Sequence, residues 1–337
     1  MAFSLGRAGP AILVDMSAAS ALRPPARRTG LWILGILLCC AVFIAVYEYF
    51  VRSDSGQWVE YAMLDAAAER VSSLSERGYD LWWLSPVIIA LPAVIFLVIV
   101  LVRQRFLAAL IAAGSVVGAN LSTQVLKTYW LERPDLDNGV PYWTGNSLPS
   151  GHTTLAASMA VAVFLVSSPR QRPFVAVLAA SYAGLVGAYT FTETWHRPAD
   201  VIAAYLVVAV WALIGGWLVM RTGPEWNTAV VDYEPETAPL AGLAWFLGVT
   251  LTVAAVLCFL FSGGWSGIAL AGEEPSLWHW FAGLLFSIGP GFLMAAAGIN
   301  LFGAETGRRQ RGAPVPSPKG ETVRYPIPPE FSELYRV

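Results

Sequence analysis

Eight apolar stretches constrain this chain more than anything else in it. They run from Leu31 to Phe50, Trp83 to Val102, Phe106 to Leu126, just after His152 to Val166, Val175 to Thr190, Val201 to Met220, Leu240 to Leu260 and Trp280 to Phe302. A helix needs about 20 apolar residues to cross a bilayer core. Only a helix satisfies every backbone polar group within one such segment where no water reaches. The expected fold is therefore all-α and polytopic. Composition excludes the soluble alternative: 56% of residues are hydrophobic and 13% charged, against about 25% charged in a soluble domain. Fourteen tryptophans suit anchoring at membrane interfaces. The arginines sit at span ends rather than gathering in a patch that could follow a phosphate backbone, so no nucleic-acid partner is expected.

The charges between spans select an orientation. Arg27 and Arg28, Arg103 and Arg105, Arg170 and Arg172, Arg221, and Arg308, Arg309 and Arg311 all fall on one side of an eight-span chain. The positive-inside rule makes that side cytoplasmic. The expectation is a multi-pass plasma-membrane protein with both termini inside. Residues 1–30 form a cytoplasmic segment, 31–220 a six-span unit, 221–239 a Pro-containing cytoplasmic linker, 240–303 a two-span unit and 304–337 a mobile cytoplasmic tail. Between the first two spans, Trp58, Ala62, Met63, Ala67, Val71 and Leu74 recur at near-helical spacing, with Glu60, Asp65, Glu69 and Arg70 elsewhere. This is either a helix lying in the outer leaflet or one packed on neighbouring loops. Cys39, Cys40 and Cys258 lie within spans without metal-binding spacing and read as small buried hydrophobes.

The residues able to carry chemistry gather on the opposite, outer side. Ser150, Gly151 and His152 open an Ala/Val-rich helix. A helix start offers free N–H groups to an anion. Ser150 can cap that helix and donate its hydroxyl, and Gly151 leaves the backbone open to close approach. His196 precedes Arg197, Pro198, Ala199 and Asp200, which begin another span. Asp200 is near enough in sequence to hold one imidazole nitrogen and make the other more basic. A histidine held that way can attack phosphorus, while His152 can protonate the departing oxygen. On residue types alone these roles can be exchanged; the Asp partner favours His196 as nucleophile. Lys127 and Arg133 can balance charge on phosphoryl oxygens or serve as ordinary interfacial anchors.

With these residues in hand, the chain resembles the type 2 phosphatidic acid phosphatase (PAP2) superfamily. Lys127 and Arg133-Pro134 match its first signature, Pro149-Ser150-Gly151-His152 its second, and His196 with Asp200 its third. The resemblance implies a six-helix membrane core, with two additional C-terminal transmembrane helices outside it. It implies His196 as nucleophile, His152 as general acid and Asp200 as the group orienting His196. Lys127, Arg133, Ser150 and the Gly151 amide would cradle phosphate, without a metal or other cofactor. The implied partner is a membrane lipid phosphate, such as phosphatidic acid or a polyprenyl diphosphate, and a homo-oligomer is compatible with the chain.

Two departures accompany the likeness. Five residues, Thr128 to Glu132, separate Lys127 from Arg133 where the family pattern has six; on a helix one residue changes phase by about 100°. The family's Ser-Arg pair falls on Tyr189 and Thr190, so Thr190 offers a hydroxyl where a charge is usual, and Arg197 becomes a candidate substitute. Two rival functions therefore stand beside a phosphatase. One is a phosphotransferase using the same histidine; the other is a non-enzymatic lipid-binding membrane protein.

Overall fold

The structure is a computed structural model that describes residues 27–75, 84–140, 146–223, 226–231, 239–264 and 276–310. The expectations for residues 1–26 and for the tail beyond residue 310 lie outside them. The protein is an all-α polytopic membrane protein. Its helices are α1 (Thr29–Val46), continued by one π-helical turn (Tyr47–Val51), α2 (Asp54–Ser75), α3 (Leu84–Arg103), and α4 (Phe106–Val125), continued by a π-helical turn (Leu126–Trp130). There follow α5 (Gly151–Val166), α6 (Arg172–Thr192), α7 (Pro198–Thr222), α8 (Pro239–Phe261) and α9 (Leu277–Glu305). All eight expected spans coincide with helices. Six are long and apolar enough to cross a membrane, while α5 and the stretch Ala90–Arg103 of α3 are shorter apolar helices.

The packing is that of a membrane bundle. Large apolar side chains face outward, among them Leu34 at 61% exposure and Leu110 at 70%. Many of the buried positions are small residues, which let helix backbones approach where lipid removes the hydrophobic drive between helices. α5 stands at the centre, against α3, α4, α6 and α7. Its residues Ala156, Ala157, Ala160 and Ala162 are buried, as expected of a helix apolar all round. Cys40 departs from expectation: it is exposed on the outward face of α1.

The last two helices pack on this core. α9 lies along α8 and α6 and also touches α7 and α2. The Tyr205 hydroxyl of α7 bonds Ser287 O of α9 at 2.8 Å. Where α9 crosses α6, a Cβ on Gly283 would come within 2.3 Å of the ring of fully buried Phe191. Gly283→Ala is expected to destabilise the protein by about 1–3 kcal/mol through overpacking. Gly298→Ala on the same helix, whose Cβ meets nothing within 4 Å, should be neutral. Thermal unfolding in detergent checks the pair; equal midpoints would sink the assignment.

Arg28, Arg103, Arg172 and Arg221 share one end of the bundle. Arg221 and the Arg28 backbone N–H converge on buried Glu305, Arg103 meets Gln171, and Arg172 meets Asn227. At this end the linker and the start of the tail meet as two short parallel strands, β1 (Thr228–Val231) and β2 (Gly307–Gln310). That pairing orders residues 307–310, which the sequence placed in the mobile tail.

At the opposite end α2 lies against the π-helical turn Tyr47–Val51 and against α6 and α9. Val59, Met63 and Ala67 are buried with Phe191, Phe259 and Ala282. Val59, Met63, Ala66 and Ala67 turn onto the helices of the bundle rather than onto loops.

Candidate active site

Three stretches of chain converge beneath α2. The first follows α4. Leu126–Trp130 winds as a π-helix, with Leu131 N–H bonded to Leu126 O at 2.9 Å. Such a turn holds one residue more per hydrogen-bonded ring than an α-helix, and single π turns occur often at functional sites. It changes the phase of the chain where the Lys–Arg spacing is one residue short, and Lys127 lines the cavity described below. Beyond the turn, the Tyr47 hydroxyl donates to Glu132 O (2.8 Å) and accepts from Glu132 N–H (3.2 Å), pinning this stretch to α1.

The second stretch leads into α5. The Asn146 carboxamide donates to Leu131 O (3.0 Å) and Leu148 O (3.1 Å) and accepts from Leu148 N–H (3.2 Å). It thereby ties the first stretch to the second. Ser150 caps α5 by accepting from Thr153 N–H at 3.3 Å, and its own hydroxyl donates to Thr153 Oγ1 at 3.0 Å. Ser150 is thus a buried cap. The position of a Cβ on Gly151 is open, with only the Gln124 side chain within 4 Å, at 3.7 Å.

The third stretch joins α6 to α7. Thr190 O accepts from both Trp195 N–H (3.0 Å) and His196 N–H (3.1 Å). The Thr190 hydroxyl turns back onto Gly187 O at 3.0 Å, so this residue shapes the loop through its carbonyl rather than presenting its hydroxyl to the cavity. Thr194 takes a left-handed conformation, φ 59°, which is strained for a β-branched residue and common beside functional sites. Asp200 then draws the loop together. Its Oδ2 lies 3.3 Å from His196 Nδ1 and accepts from Arg197 N–H at 3.0 Å. Its backbone oxygen accepts from Ser150 N–H at 2.9 Å, joining the start of α7 to the start of α5.

These contacts leave a cavity of about 360 Å³ lined by Lys127, His152, His196 and Arg197, with Leu64 of α2 and Trp195 at its wall. The two imidazole centroids are 6.0 Å apart. His196 is buried and fixed by Asp200, whereas His152 is exposed and rests against Trp195 with centroids 5.2 Å apart. Arg197 is held by Ser147, Nη1 to Oγ at 2.8 Å.

Arg133 stands apart from that lining. It is 5% exposed and pairs with Glu60 of α2, Nη1 to Oε2 at 3.2 Å. Glu60 is 1% exposed, and its other oxygen accepts from Ala199 N–H at 3.2 Å. Sequence reading missed Glu60 because one carboxylate on a polar helix looks like any solvated charge; its only signal was adjacency to the inward positions Val59 and Met63. Asn146 and Ser147 were equally silent, being loop residues whose partners lie far along the chain.

Burial pushes the Glu60 carboxyl up to about 7. Arg133 and Arg197 pull against that rise and Asp200 adds to it. Between the ordinary glutamate range and about 7, the folded protein holds a proton that an unfolded chain has released. Stability from this group is therefore complete below about pH 4 and is lost as pH rises through about 7. The thermal midpoint of the protein should fall relative to that of Glu60→Gln, which cannot ionise, between about pH 5 and 8. A constant difference would contradict the sign.

The PAP2 superfamily family model matches residues 108–224, a stretch that contains all three converging segments and leaves out α1, α2, α3, α8 and α9. Membrane lipid-phosphate phosphatase is the usual role of that family. No curated protein and no solved structure matches the chain.

Proposed function

From the PAP2-superfamily match over residues 108–224, which supports phosphatase-type activity on phosphate esters, we propose that the protein hydrolyses a phosphomonoester or diphosphate of a membrane lipid through a phosphohistidine on His196. The observation that carries this reading is a buried His196 whose Nδ1 lies 3.3 Å from Asp200, facing His152 across a cavity lined by Lys127 and Arg197.

With Nδ1 held by the carboxylate, Nε2 is the nitrogen left to attack phosphorus. The N–P bond forms as the bond from phosphorus to the lipid oxygen breaks, and protonated His152 gives its proton to that oxygen. A water then attacks the phosphohistidine and passes a proton to His152. Inorganic phosphate leaves and His196 is restored. The 6.0 Å between ring centroids suits a phosphoryl group lying between two nitrogens, each within about 3 Å of the atom it serves. Lys127, Arg197 and the Gly151 amide balance the charge that develops on the phosphoryl oxygens, with Arg133 and Ser150 behind them. Arg197 takes the place of the arginine absent at Thr190. The mechanism asks for no metal.

The site lies at the end of the bundle away from the arginine-rich end. By the positive-inside rule this is the extracytoplasmic face of the plasma membrane, with both termini cytoplasmic. Tyr129 and Trp130, 79% and 73% exposed beside Lys127, support a cavity mouth at the headgroup level, where a lipid phosphate is presented.

The test is phosphate release by detergent-purified protein from phosphatidic acid, phosphatidylglycerol phosphate and polyprenyl diphosphate, with EDTA present. Release from at least one of them is expected. Folded protein that releases none, or that releases phosphate only when metal is restored, overturns the proposal.

A further inference from the structure

We infer that Glu60 is a positioning residue of the phosphate site, supplied by a helix outside the stretch that resembles the family; this inference rests on the phosphatase reading above. A carboxylate buried to 1% exposure is costly unless each oxygen finds a partner. Glu60 finds two, on different stretches of the site. Oε2 takes Arg133 Nη1 at 3.2 Å, just beyond α4, and Oε1 takes Ala199 N–H at 3.2 Å, in the first turn of α7 three residues from His196. The charged groups around it are Arg133 from the first stretch and Arg197 and Asp200 from the start of α7.

The consequence lies in Arg133. Its guanidinium is planar, so holding Nη1 sets the direction of Nη2. Among the described residues Nη2 is buried with no hydrogen-bond partner. A buried donor without a partner is expensive to keep; Arg133 sits behind the residues that line the cavity, and Nη2 is the donor a phosphoryl oxygen would take on seating between them. Glu60 is itself held in place, since Val59 and Met63 beside it are buried against Phe191, Phe259 and Ala282. Glu60 thus acts on the reaction through Arg133 while its second oxygen keeps the His196 loop in register.

Glu60→Gln separates the two contacts, because a carboxamide oxygen can still accept from Ala199 N–H while the charged partner of Arg133 is gone. The measurement is kcat/KM for phosphate release from dioctanoyl phosphatidic acid in micelles at about pH 8, above the value of about 7 to which burial raises Glu60, so that the residue is ionised in the native protein. It is made for the native protein, Glu60→Gln, Arg133→Ala and the double variant. Glu60→Gln should lower kcat/KM about tenfold or more and Arg133→Ala about 100-fold, with the double variant within about twofold of Arg133→Ala alone. A general loss of folded protein would multiply in both backgrounds and so lower the double variant further; that outcome overturns the inference, as does a Glu60→Gln variant equal to the native protein. Should Glu60→Gln fail to fold, Arg133→Lys keeps an ion pair with Glu60 but lacks the fork. It should still lose about tenfold, and full activity in that variant overturns the inference as well. A native protein no more active than His196→Ala instead overturns the phosphatase reading itself, and this inference with it.

Discussion

His196→Ala is expected to abolish phosphate release, by about 10⁴-fold or more, while leaving the bundle assembled. The size follows from the role: removing a covalent nucleophile removes the whole two-step route, and only binding and charge balance remain to assist water. The fold should tolerate the change because the contacts that build the loop do not need the imidazole. His196 N–H still bonds Thr190 O, Arg197 N–H still bonds Asp200, and Ser150 N–H still bonds Asp200 O. A gel-filtration profile and thermal midpoint like those of the native protein, together with absent turnover, is the expected pair of observations. Incubation of the native protein with a radiolabelled lipid phosphate, quenched in alkali where phosphohistidine survives, should label the chain, and His196→Ala should not be labelled. Retained turnover in the variant would move the nucleophile to His152 or to water and sink the assignment.

Asp200→Asn is expected to cost on the order of 10³-fold in kcat, taking the equivalent change in Ser-His-Asp enzymes as the guide. Asp200 Oδ2 faces two donors, His196 Nδ1–H and Arg197 N–H. A carboxamide can turn its oxygen to the same place, so the loop survives, but the charge that makes the far nitrogen nucleophilic is lost. The prediction is a fall in kcat with a much smaller change in KM, since Asp200 is fully buried and does not line the cavity. Steady-state kinetics on a short-chain phosphatidic acid measures both. A change confined to KM would mean that Asp200 serves binding rather than reactivity.

Both variants probe the segment that resembles the family, whereas Glu60 and Gly283 probe what surrounds it. α9 closes on α6 at Phe191, and Phe191 sits beneath α2, which carries Glu60 and Leu64 to the site. The two helices added after residue 239 are therefore part of the packing that holds the outer helix over the cavity. The proposed chemistry at His196 and the packing of α8 and α9 meet at that one helix.

What the sequence determined by itself was whatever depends on local pattern. Eight helices stand where the apolar runs lie, because a bilayer allows a segment of that length few other structures. Ser150 as the cap of α5 follows from its place three residues before Thr153, and the pairing of Asp200 with His196 from a four-residue step from the loop into the first turn of α7. Tertiary structure alone decided the rest. The π turn at Leu126–Trp130, closed from Leu131 N–H to Leu126 O, alters the phase between Lys127 and Arg133 through the backbone hydrogen-bond pattern, which residue spacing alone does not reveal. Thr190 turned inward because its hydroxyl found Gly187 O within its own helix. Arg133 went to Glu60, 73 residues away in the chain, and no periodicity encodes such a meeting. It exists because a buried carboxylate and a buried guanidinium are each too costly alone, and because folding α2 across the bundle brings the two together.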